Sequence, residues 1–243
     1  MCPLLLVLTA LTATVTILFS LIGLGRTAGY YFPMLWARAF CLLSWVRVTV
    51  TGRDNIDKRT SYVFVANHQG SYDIFAVYGF LGHQFRWMMK KALEKIPLVG
   101  YSCRVSGHIY VDKSSPAAIR RTMQEARQRL QGGISVVVFP EGSRERAGRL
   151  TPFKRGAYML ATELGLPVVP ITIDGAYAVM PRDAKLPRPG HIRLTIHKPI
   201  FADENGNHDL PALMEQSRNA IASALPQANR YTANGSDTPN TNH

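Results

Sequence analysis

Tyr62-Val63-Phe64-Val65-Ala66 runs directly into Asn67-His68-Gln69-Gly70-Ser71-Tyr72-Asp73, and a further apolar stretch over 74–80 follows. A short run rich in β-branched and aromatic residues reads as a strand, Gly70-Ser71 as a turn, and the stretch beyond as a helix. Such a handover leaves His68 at the turn and Asp73 at the helix start, where its carboxylate can bond one ring nitrogen. The other nitrogen is then free to take a proton. Taken alone the pair has a plain structural alternative, because a histidine beside a carboxylate often only steadies a turn.

The same kind of handover recurs where Ile134-Ser135-Val136-Val137-Val138-Phe139 leads into Pro140-Glu141-Gly142-Ser143-Arg144. The glycine lets backbone approach a ligand, the serine offers a hydroxyl, and the arginine suits phosphate oxygens. An ordinary turn has similar composition; beside the histidine, this one reads as an anion site next to a base. Further strands are expected at 108–111, 168–173 and 191–196. Helices are expected from Ser115-Pro116 to the Gly132-Gly133 stop, over 154–164, and over 210–224. Strands alternating with helices predict an α/β fold with a mixed, largely parallel sheet flanked by helices.

From 2 to 25 the chain carries no charge, and this run is long enough to cross a hydrocarbon core of about 30 Å. A secretory signal is the alternative, but the run lacks a basic leader and a small-residue cleavage site. The next apolar stretch, 30–46, holds Pro33 and Arg38 and suits an interfacial helix or half of a hairpin. Trp36 and Trp45 fit an interface belt. Arg26, Arg38, Arg47 and Arg53 all follow the first segment, so the positive-inside rule puts the rest of the protein on the cytoplasmic side, and the expected location is the cytoplasmic (inner) membrane. The expected division is membrane-embedded or interfacial helices at 1–48, an α/β domain at 49–227 and a disordered polar tail at 228–243.

An excess of 28 basic over 16 acidic residues, a net charge of +12, favours anionic partners such as nucleic acid, phospholipid surfaces or phosphorylated substrates. No aromatic-basic or helix-turn-helix signature accompanies it, so nucleic acid is not expected as a partner. Cys2, Cys41 and Cys103 are too far apart for a Cys-x-x-Cys motif and read as reduced thiols. The histidines at 83, 108, 191, 197, 208 and 243 lack metal-ligand spacing and read as surface or strand residues, so no metal is expected. Gly23-Leu24-Gly25-Arg26-Thr27-Ala28 fits a dinucleotide pattern but follows a long apolar helix in place of a short strand. Serine-hydrolase, nucleotide-hydrolase and zinc-protease readings lack their central residues.

Asn67-His68-Gln69-x-x-x-Asp73 together with Phe139-Pro140-Glu141-Gly142-Ser143-Arg144 resembles the 1-acylglycerol-3-phosphate acyltransferases, also called lysophosphatidate acyltransferases. Gly107-His108-Ile109-Tyr110-Val111-Asp112-Lys113, Val169-Pro170-Ile171-Thr172-Ile173 and the Lys90 to Gly100 element agree in order and spacing. The similarity covers roughly 45–200, and the apolar N-terminus suits the family's membrane-docking helices. Lys113 stands where the family usually has arginine, which turns a bidentate phosphate contact into a point charge. Ser143 replaces the commoner threonine and keeps the hydroxyl.

The resemblance implies transfer of a fatty acyl group from a thioester, on coenzyme A or acyl carrier protein, to the sn-2 hydroxyl of lysophosphatidate, giving phosphatidate at a membrane phospholipid surface. His68 would be the general base and Asp73 its orienting acid. Glu141, Gly142, Ser143 and Arg144, with Lys113 and Lys90, would hold the glycerol phosphate. No cofactor is implied beyond the thioester co-substrate. The same chemistry on another lyso-lipid acceptor, or a non-catalytic membrane lipid-binding protein, are the competing readings.

Overall fold

The computed structural model describes residues 2–144, 148–201 and 209–230. Its helices are α1 (Cys2–Phe19), α2 (Gly25–Leu43), α3 (Tyr72–Phe80), α4 (Val99–Val105), α5 (Pro116–Arg129), α6 (Gly156–Leu164), α7 (Ala176–Val179) and α8 (Leu210–Ser223). The strands are β1 (Val46–Thr51), β2 (Val63–Ala66), β3 (Phe85–Lys90), β4 (Ile109–Val111), β5 (Ser135–Val138), β6 (Val168–Asp174) and β7 (Gly190–Ile196). They form one sheet of order β1-β7-β6-β2-β5-β3-β4. Every neighbouring pair is parallel except β6 with β7, so the sheet is mixed and largely parallel.

Strands β2, β5 and β6 are buried along their whole length, as expected where helices cover both faces of a parallel sheet. Side chains alternate between the two faces. Phe64, Ala66, Val137 and Ile171 join Ala37 of α2 and Tyr72, Ala76 and Val77 of α3 in one core layer. Val63, Val65, Val136 and Val138 join Ala126 of α5, Tyr158 and Leu160 of α6 and Leu213 and Ile221 of α8 in the other. Each fully buried aliphatic side chain here contributes roughly 1.5–3 kcal/mol.

Two strands escape the sequence reading. β1 straddles the expected division at 48/49 and pairs in parallel with β7, Val46 opposite Gly190. Its Val-Arg-Val-Thr-Val-Thr pattern alternates as an edge strand should, but it follows the apolar stretch without a turn signal. β3, Phe-Arg-Trp-Met-Met-Lys, carries too few β-branched residues to announce itself. The expected α5 is present: Ser115 Oγ accepts the Ala118 N–H at 3.1 Å and Pro116 opens the first turn. The tail expected from 228 is ordered at its start, where a 3-10 turn spans Gln227–Asn229 and Leu150 N–H donates to Asn229 O at 3.1 Å. Residues 231–243 of that tail, with His243, and also His208, lie outside the described residues.

The stretch Leu4–Leu43 is apolar and long enough to cross a membrane. It is two helices, not one, because Ile22 and Gly23 leave helical geometry and Gly23 takes φ 83°. The chain folds back there. Trp36 Nε1–H donates to Thr9 Oγ1 at 3.0 Å, and the Phe19 and Phe32 rings meet edge to face at 5.1 Å. One side of the hairpin rests on the domain, where a Cβ on Gly29 would lie 2.6 Å from that of Ser106. The other side exposes Leu6, Leu11, Leu18, Leu21 and Leu42.

Two of the histidines are buried, His83 and, immediately before β4, His108. His108 Nδ1 accepts the Trp87 N–H at 3.1 Å, which leaves the proton on Nε2, 2.6 Å from the Tyr78 hydroxyl. Burial, reinforced by Arg86 and Arg129, pushes its pKa down to about 3, so this ring is a neutral structural link between α3 and β3.

Candidate active site

Asn67 closes β2 by pinning it to β6: its side-chain NH2 donates to Ile173 O at 2.8 Å and its Oδ1 accepts Ile173 N–H at 2.8 Å. The backbone beyond is thereby held at the carboxyl edge of the parallel strands. His68 emerges there with Nδ1 2.8 Å from Asp73 Oδ2. That same oxygen accepts the main-chain N–H of Gln69 at 2.7 Å and of Gly70 at 2.8 Å. Three donors converge on this one oxygen of the fully buried carboxylate and leave it no freedom to turn. The proton of the imidazole accordingly sits on Nδ1, and Nε2 keeps its lone pair.

Phe139, at the end of β5, lies flat against the His68 ring with centroids 4.0 Å apart and planes 9° apart. The ring is thus fixed by a face contact as well as by Asp73. The side chain of His68 keeps 13% of its surface exposed, while that of Asp73 has none.

Glu141 departs from its expected place against the phosphate. Its Oε1 accepts the main-chain N–H of His68 at 2.7 Å, and its Oε2 accepts Thr151 N–H at 3.0 Å and Thr151 Oγ–H at 2.5 Å. Only 4% of the residue is exposed, and burial, only partly offset by these bonds, raises its pKa. A carboxylate with both oxygens engaged inside the protein positions the histidine loop and cannot attract an anion.

The other residues of the second turn face outward. Gly142 takes φ 77°, and a Cβ there would sit 2.6 Å from Lys154 Nζ, so the glycine makes room for that ammonium. Ser143 is exposed. Arg144 is half-buried and donates through Nη1 to Ser71 Oγ, in the loop between His68 and Asp73. Arg182 donates through Nη1 to Arg144 O at 3.3 Å. The structure therefore brings His68, Asp73, Glu141, Gly142, Ser143 and Arg144 together and adds Lys154 and Arg182 as neighbouring cations.

Lys90 ends β3 and Lys113 follows β4, at the same carboxyl edge but two and three strands from β2. At a spacing of about 4.8 Å per strand they stand roughly 10 and 14 Å along the edge. Both are exposed. They widen the positive rim without touching the His68 loop.

Sequence reading missed Thr151, Phe139 as a ring support, Ser71, Lys154 and Arg182. Lys154 and Arg182 carry no local motif, and their roles depend on the paths of α6 and α7. Thr151 lies ten residues past Glu141, with no spacing rule to connect them.

His68, paired with Asp73, and the cationic turn at Arg144 thus share the carboxyl edge of the parallel strands. A sequence profile of the family described as Acyltransferase matches residues 47–174. The chain belongs to the acyltransferase family. It is similar to a 1-acyl-sn-glycerol-3-phosphate acyltransferase of Chlamydomonas reinhardtii, 33% identical over 83% of this chain and 59% of that one. It is also similar to a chloroplastic enzyme of the same description from Brassica napus, 31% identical over 82% of this chain and 57% of that one. The chain thus spans less than two thirds of the length of these relatives. Among solved structures, the crystal structure of the 1-acyl-sn-glycerophosphate (LPA) acyltransferase PlsC from Thermotoga maritima superposes with TM-score 0.66 and 26% identity, covering 90% of this chain and 95% of that one.

Proposed function

We propose that this protein acylates the sn-2 hydroxyl of 1-acylglycerol-3-phosphate, using acyl-coenzyme A or an acyl carrier protein thioester as co-substrate and no resident cofactor. The observation that carries this reading is the His68 ring, clamped through Nδ1 by Asp73 at 2.8 Å, one short loop away from the guanidinium of Arg144. The chain's similarity to 1-acyl-sn-glycerol-3-phosphate acyltransferases supports it.

His68 Nε2 takes the proton of the acceptor hydroxyl as that oxygen attacks the thioester carbonyl. Asp73 stabilises the imidazolium that results. A carbon–oxygen bond forms, the carbon–sulfur bond breaks, and the imidazolium returns its proton to the departing thiolate. The products are phosphatidate and the free thiol, and no covalent enzyme intermediate is needed. Arg144 and Lys154, over the open backbone of Gly142 and Ser143, hold the phosphate and so place the hydroxyl. Lys90 and Lys113 add a longer-range attraction for the anion. Glu141 acts through His68 by fixing its backbone.

The α1–α2 hairpin docks the protein on a phospholipid surface, with the α/β domain on the cytoplasmic face of the inner membrane.

The test is acyl transfer from both thioesters to lysophosphatidate and to a panel of other lysolipids, with wild type and His68→Ala. Wild type forms phosphatidate, and the variant loses about a thousandfold in turnover while melting at the same temperature. Near-normal turnover by His68→Ala removes the mechanism, and preference for another lysolipid removes the acceptor.

A further inference from the structure

Among the described residues, only Trp45 and Leu98 combine a side chain with positive φ, at 55° and 62°. Both are large, apolar and exposed, Trp45 by 82% and Leu98 by 45%. A folded chain ordinarily reserves such backbone for glycine, because a Cβ there is strained. Holding that strain in order to push apolar surface into solvent has no rationale in the stability of a water-soluble domain.

The Leu98 geometry is specific. With φ 62° and ψ −54°, and with Val99 N–H donating to Pro97 O at 2.6 Å, Leu98 is the centre of a γ-turn of the rare, strained hand. Its surroundings enforce it: Gly100 packs so closely that a Cβ would fall 2.1 Å from Glu94 O. Around the turn Leu93, Ile96 and Tyr101 are also exposed, and Lys90 and Lys95 have no ion pair among the described residues. The acidic member of the segment, Glu94, is paired with Arg104.

Topology places these features at one edge. Leu98 follows the carboxyl end of β3, which is parallel to β5 and so aligned with β2. Trp45 precedes β1, which runs opposite to β2 because β6 and β7 are antiparallel. Both therefore lie at the edge where His68 emerges, on opposite sides of β2 in the strand order. Trp45 also ends the apolar hairpin, and α4, which Leu98 precedes, packs against α1.

We propose that the segment from Lys90 to Tyr101 is a second membrane contact, separate from the hairpin. Leu93, Ile96 and Leu98 enter the acyl boundary of an anionic leaflet while Lys90 and Lys95 meet its headgroups. It rests on the membrane reading given above. With Trp45 it levels the His68 edge against the leaflet, so that lysophosphatidate reaches Arg144 from the lipid plane without crossing water.

The test uses the full chain with its hairpin intact, as wild type, Leu98→Asp and Leu98→Gly. The glycine variant removes the side chain and relieves the turn, so it melts no lower than wild type. Flotation on phosphatidylglycerol–phosphatidylcholine vesicles is measured, and acylation is followed with long-chain lysophosphatidate in those vesicles and with a short-chain, monomeric lysophosphatidate. Both variants raise the apparent KM for the vesicle substrate by roughly tenfold and leave the monomeric substrate unaffected, while the hairpin still retains them on vesicles. Unchanged KM on vesicles overturns the inference alone. An equal loss on both substrates assigns Leu98 to the site or the fold, and a loss seen only with acyl carrier protein as donor assigns it to carrier docking; either overturns it too. Failure of wild type to float removes the hairpin reading, and this one with it.

Discussion

The Glu141 carboxylate takes the main-chain N–H of His68 at 2.7 Å, so the acid of one sequence motif holds the histidine of the other. The two turns are therefore one mechanical unit: a change in the β5 turn is felt at His68 on the β2 turn.

Glu141→Ala follows directly. It leaves the His68 and Thr151 N–H groups without their acceptor in a buried place, at a cost of about 2–4 kcal/mol in unfolding free energy. With both Glu141 oxygens engaged by His68 and Thr151, the proposed function predicts that kcat falls strongly and the KM for lysophosphatidate moves by less than about threefold. Denaturant titration and steady-state kinetics on one preparation check both. A KM effect that dominates would return Glu141 to the headgroup.

Asp73→Asn keeps the shape but brings an amide NH2 toward the Gln69 and Gly70 donors and no longer favours the imidazolium. Turnover drops by about a hundredfold or more, with little change in either KM. Restoration of activity at raised pH is not expected, since the defect is one of tautomer and charge, and a pH–rate profile decides the matter.

Arg144 touches Ser71 in the loop between His68 and Asp73, so its replacement separates charge from geometry. Arg144→Ala raises the lysophosphatidate KM by about tenfold or more, and Arg144→Lys recovers part of it, because a point charge replaces a planar fork. Thioester KM stays within about twofold. The mirror change, Lys154→Ala, acts in the same direction and less strongly, as expected for an exposed ammonium.

Burial of His108 makes stability depend on pH. Its pKa is lowered from 6.5 to about 3 in the folded protein, so the unfolded chain binds the extra proton first. The stabilisation is complete above pH 6.5 and is lost as pH falls toward 3, at about 1.4 kcal/mol for each pH unit. His108→Gln removes that slope, lowers stability at neutral pH and narrows the gap from wild type in acid. Urea unfolding at several pH values measures it.

The contact of His68 with Asp73 was legible because strand end, turn and helix start fall within eight residues, from Ala66 to Asp73, and local chemistry governs so short a span. The α5 helix was legible for the same reason, with its serine cap, first-turn proline and glycine stop in one window. β1 and β3 were not. β1 joins the sheet only as the neighbour of β7, and β3 is held by partners on both sides despite weak propensity of its own. Nor could the pattern show that Glu141 turns inward, since Thr151 and the His68 backbone reach it only after the sheet has formed.

Residue order by itself determined the alternation of strands and helices, the histidine and its acid, the cationic turn and the apolar leader, because each rests on contacts or periodicities a few residues long. Tertiary structure decided which strands are neighbours, that the apolar leader folds back at Gly23, that Glu141 braces and Arg144 faces outward, and that Trp45 and Leu98 share the edge of His68. Those outcomes depend on packing between segments tens of residues apart, where burial and hydrogen-bond satisfaction over the whole chain, and not local preference, select the conformation.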